Sequence, residues 1–282
     1  MVTSPANKGR WRILKLSYSS AFRNLAVEEA LARALSTDVQ TQPTLRLWTN
    51  PRAVVVGRFQ EVRAEVDIDQ CQLHHVQIAR RFTGGGTVFH DEATLNVTLV
   101  AQPRMVPSGL TFQENNLQLV TRALGSLGLR CSTSRNSISI DGRKVCGAAA
   151  AVGSHFAFWH CSILVDTDSQ LLEASLAPSK STAKSRFVHS RWQEVTTLAE
   201  ALFRPISVDE VSGSLERAIR AGMASELVSG SLSIAEKSYS EALYSRKYSS
   251  REWHMNGNHM PEVGGIERSD DNCRMRPLNA LN

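Results

Sequence analysis

The chain has 282 residues, 42% hydrophobic and 21% charged, with a net charge of +5. That length supports a sizeable core without staples, and the mild basicity falls short of a nucleic-acid signature while suiting an anionic substrate or acidic partner. Five cysteines, Cys71, Cys131, Cys146, Cys161 and Cys273, are odd in number and form no C-x-x-C, which argues against a disulfide framework or zinc site and for a reducing compartment.

Residues 1–10 are expected to be a flexible N-terminus. Through Ala26 the chain carries Lys8, Arg10, Arg12, Lys15 and Arg23 and no acid, a superficial likeness to an organelle leader. However, WRILKL from Trp11 already reads as a strand, so the expectation is a cytoplasmic protein, with an organelle left open. No apolar run reaches the roughly 20 residues that span a membrane. The segment Asn24–Leu35 reads as an amphipathic helix with Asn24 as N-cap and Glu28 and Glu29 near its positive end. TLRLWTN, RAVVVGRF and HHVQIARRF follow as strands, then TVFHD and LNVTLVA.

A helix is expected over Phe112–Gly125, and then SISI and KVCGAAAA as a hairpin turning at Asp141-Gly142. HFAFWHCSILVD is a further strand. From Ser169 the periodicity turns helical, and residues 255–282 have no periodicity and read as a disordered tail. Strands followed by helices predict an α+β domain over residues 11–254, with a mostly antiparallel sheet flanked by helices.

The densest stretch is RRFTGGGTVFHD, from Arg80 to Asp91. Neither a P-loop nor a dinucleotide fingerprint is present, because β-branched and aromatic residues rather than a helix follow Gly86. Two readings remain: a tight hairpin using glycine's freedom at positive φ, or a loop whose bare amides meet a ligand. Alternation sends Arg80 and Arg81 to opposite faces, one into a pocket and the other to solvent. His90-Asp91 is a base with its orienter or, since neighbours on a strand diverge, a structural pair. In DGRKVCGAAAA, Lys144 beside small residues suits a pocket wall that neutralises oxyanion charge; the alternative is a solvated hairpin pair. His155, His160, Trp48, Trp159 and Trp253 read as structural, and Lys180 and Lys184 as solvated loop residues.

The set RRFTGGGTVFHD, LNVTL, RNSISIDGRKVCGAA and HCSILVD, with FRNLAVEEAL, LWTNPRAVVVGRFQ and the late KYSSREW, resembles the lipoate–protein ligase A family over nearly the whole chain. The resemblance implies the fold shared with biotin protein ligases. It implies activation of lipoate with ATP, accompanied by Mg²⁺, to lipoyl-adenylate, and transfer to a lysine of a carrier domain, an E2 subunit or glycine-cleavage H protein. Lys144 would hold the carboxyl and α-phosphate oxygens and Arg81 the adenylate. Gly86, Thr87, Val88 and Phe89 would line the nucleotide with backbone, Thr83, Gly84 and Gly85 would shape the loop, and His90 would brace it or approach the acyl group. Asn136 would complete the substrate-binding set, and Lys180 and Lys184 would instead be phosphate contacts. No dedicated metal site, nucleic acid or membrane is implied.

Three departures stand out. Ser134-Arg135-Asn136-Ser137 replaces a usual G-R-N-D, Glu92-Ala93-Thr94 replaces a glycine turn, and the C-terminal accessory domain of longer ligases is expected to be missing. A separate accessory subunit or a pre-formed acyl-adenylate would then be needed. The alternatives are an octanoyltransferase using a cysteine thioester, with Cys131 nearest the required region, and a non-catalytic protein that binds lipoyl domains. GGG at Gly86, rather than GGR, favours the ligase.

Overall fold

A computed structural model describes residues 10–37, 42–107, 109–176, 187–222 and 226–257. Most of both expected tails, together with Lys180, Lys184 and Cys273, therefore lies outside the described residues. The chain runs through β1 (Arg10–Lys15), α1 (Ala21–Thr37), β2 (Thr44–Trp48) and β3 (Ala53–Val56). Next come α2 (Val62–Glu65), α3 (Ile68–Leu73), β4 (Gln77–Arg80), β5 (Val88–His90) and β6 (Thr94–Ala101). After α4 (Gly109–Gly125) follow β7 (Ser132–Thr133), β8 (Ser137–Ile140), β9 (Arg143–Val152) and β10 (Ala157–Leu164). The remainder is α5 (Ser169–Ser175), α6 (Leu198–Leu202), α7 (Val208–Gly222), β11 (Glu226–Ser229), α8 (Ile234–Leu243), a π-helical turn at Tyr244–Tyr248 and α9 (Arg251–Asn256).

Eight strands form the larger sheet in the order β11-β1-β2-β6-β10-β9-β8-β7. From β2 to β7 every pairing is antiparallel, while β1 is parallel to both its neighbours. This is the expected α+β fold with a mostly antiparallel sheet, except that β11 comes from the stretch read as helical and pairs at the edge. The β8–β9 hairpin turns at Asp141 (φ 49°) and Gly142 (φ 78°), the two left-handed residues such a turn needs. Along β6, Leu95, Val97 and Leu99 join Val211 and Leu215 of α7 in the main core. Its alternate residues Asn96 and Thr98 are buried on the opposite face, where Thr98 bonds to Glu28 of α1. Among the described residues no helix is long and apolar enough to cross a membrane.

Helix α1 begins before Asn24, so this residue is not the N-cap. Its side chain instead folds back to accept the Tyr18 N–H and donate to the Tyr18 carbonyl.

The smaller sheet has the order β4-β3-β5, with β3 parallel to β4 and antiparallel to β5. The glycine segment therefore joins strands that are not neighbours. It is a crossing over the end of β3, not a hairpin. Such a crossing needs a position without a side chain beneath it, and Gly57 supplies it: a Cβ there would lie 2.2 Å from the Gly85 carbonyl oxygen.

Candidate active site

Arg81 holds the crossing together. Its guanidinium donates to the carbonyls of Val55 (3.0 Å), Gly84 (2.7 Å) and Gly86 (2.7 Å) and to Thr83 Oγ1 (3.1 Å). The planar fork thus meets the curved loop from inside. Arg80 is only 1% exposed, so the solvent position expected for one of the pair is not found. It points into a second cage, formed by carbonyls of Gly57, Gln60, Trp253 and Met255, which offsets its desolvation. Burial lowers both guanidinium pKa values to about 10, and for Arg81 the charge of Arg80 adds to this.

The three glycines differ. Gly85 adopts φ +93°, and a Cβ there would press on the Arg81 guanidinium at 3.0 Å; a Cβ on Gly86 would lie 3.1 Å from Ser190 Oγ. Ser190 lies on a strap, residues 187–197, that runs over the site. Its hydroxyl accepts the Thr87 N–H, its N–H donates to the Glu65 carboxylate, and Val188 N–H donates to the Phe59 carbonyl.

Lys144 enters from the other side. In the β8–β9 pairing, Ser137 opposes Gly147 and Ile138 opposes Cys146, but Ser139 opposes Lys144, leaving Val145 as an extra residue. Val145 and Cys146 both turn into the main core. This bulge resets the alternation, so that Lys144 shares the face of Gly147 instead of pointing the other way. A Cβ on Gly147 would lie 3.0 Å from Lys144 Cε and 3.2 Å from Nζ; the glycine makes the groove in which the lysine lies. The strap completes the mount: Lys144 N–H donates to the Glu194 carbonyl, and Thr196 N–H to the Lys144 carbonyl. Burial lowers the Lys144 pKa; Cys146 opposes this and Arg81 adds to it.

Two cavities meet at this lysine. The first, about 530 Å³, runs past Gly147, Ser162, His90 and Asn96 to Trp48 and Leu25. The second, about 460 Å³, lies between the strap and α5, against Phe89, Leu164, Leu172 and Leu176. Lys144, Thr87, Val88 and Ser190 line both. Of the residues singled out by sequence, Arg81, Gly85, Gly86, His90 and Asn136 line the first chamber, and Phe89 lines the second. Thr83 and Gly84 support the loop through Arg81.

His90 is buried with Nε2 2.7 Å from Ser162 Oγ and Nδ1 2.9 Å from Asn50 Nδ2; burial, then the Arg81 charge, lowers its pKa to about 3. Asp91 points elsewhere and anchors Ala93, Thr94 and the start of α5 at Asp168. His160 faces the first chamber with Nε2 2.9 Å from Thr83 Oγ1, while His155 is exposed. Trp159 and Trp253 are core residues as expected, but Trp48, also buried, closes the first chamber.

Residues that sequence reasoning missed include Gly57, Glu65, Asn96 and Ser190. Gly57 had a readable signal, a glycine ending the apolar run AVVV. The other three sit in unremarkable strand, helix or loop contexts.

The comparisons with known proteins follow this geometry. A family model, "Lipoyl protein ligase A/B catalytic domain", matches residues 20–220. Lipoate-protein ligase A subunit 1 of Thermoplasma acidophilum is 30% identical over 243 residues, covering 82% of this chain and 91% of that protein. The chain belongs to the lipoyl protein ligase A/B family.

Octanoyltransferase LipM of Brevibacillus brevis is 28% identical over 273 residues, covering 87% of this chain and 99% of that protein. Among solved structures, the bipartite lipoate protein ligase of T. acidophilum, studied with its E2 lipoyl domain, superposes with a TM-score of 0.78 at 28% identity, covering 90% of this chain and 100% of that one. A lipoate-protein ligase A bound with ATP gives 0.73 at 27% identity, with coverage of 88% and 98%. The chain is thus an enzyme-family member with the ligase fold, similar to ligases and to acyltransferases alike.

Within this family fold, the cysteines have definite places. Cys131 packs against the main core and lies outside both chambers. Burial pushes the Cys71 and Cys131 thiols up to about 11, and Cys161, a core residue that itself lines the first chamber, well above its ordinary value.

Proposed function

We propose that the protein is an ATP-dependent lipoate–protein ligase. The observation that carries this reading is the position of Lys144 at the junction of two chambers, the first of which is also lined by Arg81, Gly85 and Gly86. The first chamber suits the acyl chain: it is long and ends on Trp48 and Leu25. The second, lined by Phe89, Leu164 and Leu172, suits a nucleoside. A carboxylate oxygen attacks the α-phosphorus and pyrophosphate leaves; the carrier's lysine amine then attacks the acyl carbon, AMP leaves with the bonding pair, and an amide forms.

Lys144 would bring two anionic reactants together and neutralise charge through both steps. Burial weakens its hold on its proton, and a bound carboxylate or phosphate restores it. Among the described residues no three His, Cys, Asp or Glu side chains converge to hold a metal. Mg²⁺ suits the site as an ion carried by the triphosphate, since it takes one or two carboxylates with phosphate oxygens and water. Glu173, which lines the second chamber, would supply one. The carrier is read as an E2-type lipoyl domain, with the glycine-cleavage H protein as another candidate. A second subunit is read as the partner in activation, by analogy with the bipartite archaeal ligase.

The test is lipoate-dependent exchange of pyrophosphate into ATP, with and without a candidate second subunit. Exchange that disappears in Lys144→Ala supports the ligase. A second reading, octanoyl transfer from an acyl-carrier thioester, is favoured by the end-to-end match to LipM. It would be established by octanoyl transfer without ATP that Cys131→Ser abolishes, and it is opposed by the position and high pKa of that thiol.

A further inference from the structure

The strap presents one large ring to the second chamber. Trp192 lines that chamber and is the only aromatic among the described strap residues that do so, yet it is 79% exposed. An isolated exposed ring needs no explanation, so the weight falls on what shares the chamber with it.

Along the same chamber runs β5, whose Val88 and Phe89 line it together with the preceding Thr87. Strand β3 divides its backbone groups between two neighbours. Its Val56 carbonyl accepts the Arg81 N–H, and the Arg52 carbonyl before it accepts the Gln77 N–H. Residues two apart on a strand point their backbone groups the same way, so Val54 faces β4, while Ala53 and Val55 face β5. These two oppose His90 and Val88, and among the described residues β5 has no strand on its other side. Phe89, opposite Val54, therefore turns both its N–H and its carbonyl off the open edge of the smaller sheet. A donor and an acceptor stand side by side on one residue of the chamber wall.

An edge of this kind holds a planar heterocycle by one side and leaves both ring faces to be covered. An amino group beside a ring nitrogen, as in adenine, is the complementary pair. The sheet and α5 offer aliphatic cover from Leu164 and Leu172. The other cover must come from the strap, where Trp192 has the flat area to give it. Its neighbour Arg191 lines both chambers, so the same stretch of strap brings a cation to the junction at Lys144, where the phosphates of a base held here would lie.

We propose that Trp192 is a nucleobase-stacking residue whose indole covers the exposed face of the bound purine. This rests on the reading of the second chamber as the nucleoside site. Stacking accepts any base, so the ring supplies affinity and the strand edge supplies the choice of base.

The test is calorimetric titration of the full chain with ATP and Mg²⁺ and, separately, with inorganic tripolyphosphate, which keeps the anions and lacks the base. Trp192→Ala is expected to weaken ATP about tenfold and tripolyphosphate by less than about twofold, and Trp192→Phe to restore ATP to within about threefold of wild type. ATP should also quench tryptophan emission of the wild type, and the quenching should be lost in Trp192→Phe. The side chain is mostly in solvent, so both variants should keep the fold. Equal ATP affinity of wild type and Trp192→Ala overturns the inference while leaving the nucleotide site intact. So does a Trp192→Ala variant that loses affinity only for a lipoyl domain, which would make the ring a carrier contact. Failure of the wild type to bind ATP overturns the site reading and the inference together.

Discussion

The glycine wall and the strap face each other across the same chambers but are held in different ways. On the wall, one buried guanidinium ties the glycine loop to β3 through four acceptors, and Gly57 lets the loop sit directly on β3. On the strap, attachment includes single backbone bonds at Val188, Glu194 and Thr196, Ser190 Oγ bonded to Thr87 and Gln60, and His189 3.3 Å from the Glu65 carboxylate, while Trp192 is 79% exposed. The wall is therefore preorganised, with its electrostatics set before substrate arrives, whereas the strap is the softer side. Lys144 belongs to both, since its side chain lies in a groove of the sheet and its backbone is bonded to the strap.

The largest effect is expected where the two sides meet. Lys144→Ala should lower pyrophosphate exchange by about a thousandfold with the melting temperature unchanged or raised, because a buried cation is removed; a modest loss would break the assignment. Gly57→Ala attacks the wall alone. Its Cβ displaces the Gly85 carbonyl, and a shift near 1 Å should cost about a hundredfold in kcat/KM with the chain still folded by circular dichroism.

Arg81→Lys keeps the charge but loses the fork, and should destabilise by about 2–3 kcal/mol in denaturant unfolding. The wall also carries a pH signature. The His90 pKa falls from 6.5 to about 3 and that of His254 to about 4, so the unfolded chain takes up protons that the folded one does not. Stability should be full above pH 6.5 and fall as pH drops toward 4, by up to about 1.4 kcal/mol per pH unit for each histidine. His254→Gln should flatten that slope. On the strap, Glu65→Gln is expected to cost about 1 kcal/mol at most and to appear as a raised KM with kcat nearly kept. An equal fall in both constants would show the strap to be as rigid as the wall.

How legible each side was follows from its chemistry. The wall concentrates special residues in twelve positions, so Arg81, the glycines and His90 stood out, as did Lys144 after its hairpin. What the local sequence lacked was the partner of each strand. Because β3 inserts between β4 and β5, a run that reads as a hairpin becomes a crossing. Arg80 is buried by α9 and by the segment that follows β3, neither of which alternation reveals. The strap gave little away, since its bonds come mostly from backbone. Asn96 read as one residue of LNVTLVA. Its side chain meets Ser162, which in turn meets His90, and no window of sequence contains all three.

The Arg80 cage sets an order of events in synthesis. Its carbonyls at Gly57 and Gln60 leave the ribosome early, but those at Trp253 and Met255 emerge almost two hundred residues later. Until then the cation at the foot of the wall must stay hydrated, and β4 cannot bury it at low cost. The active-site wall is thus expected to settle only after α9 has been made, so that a nascent chain still lacking that helix cannot bind substrate.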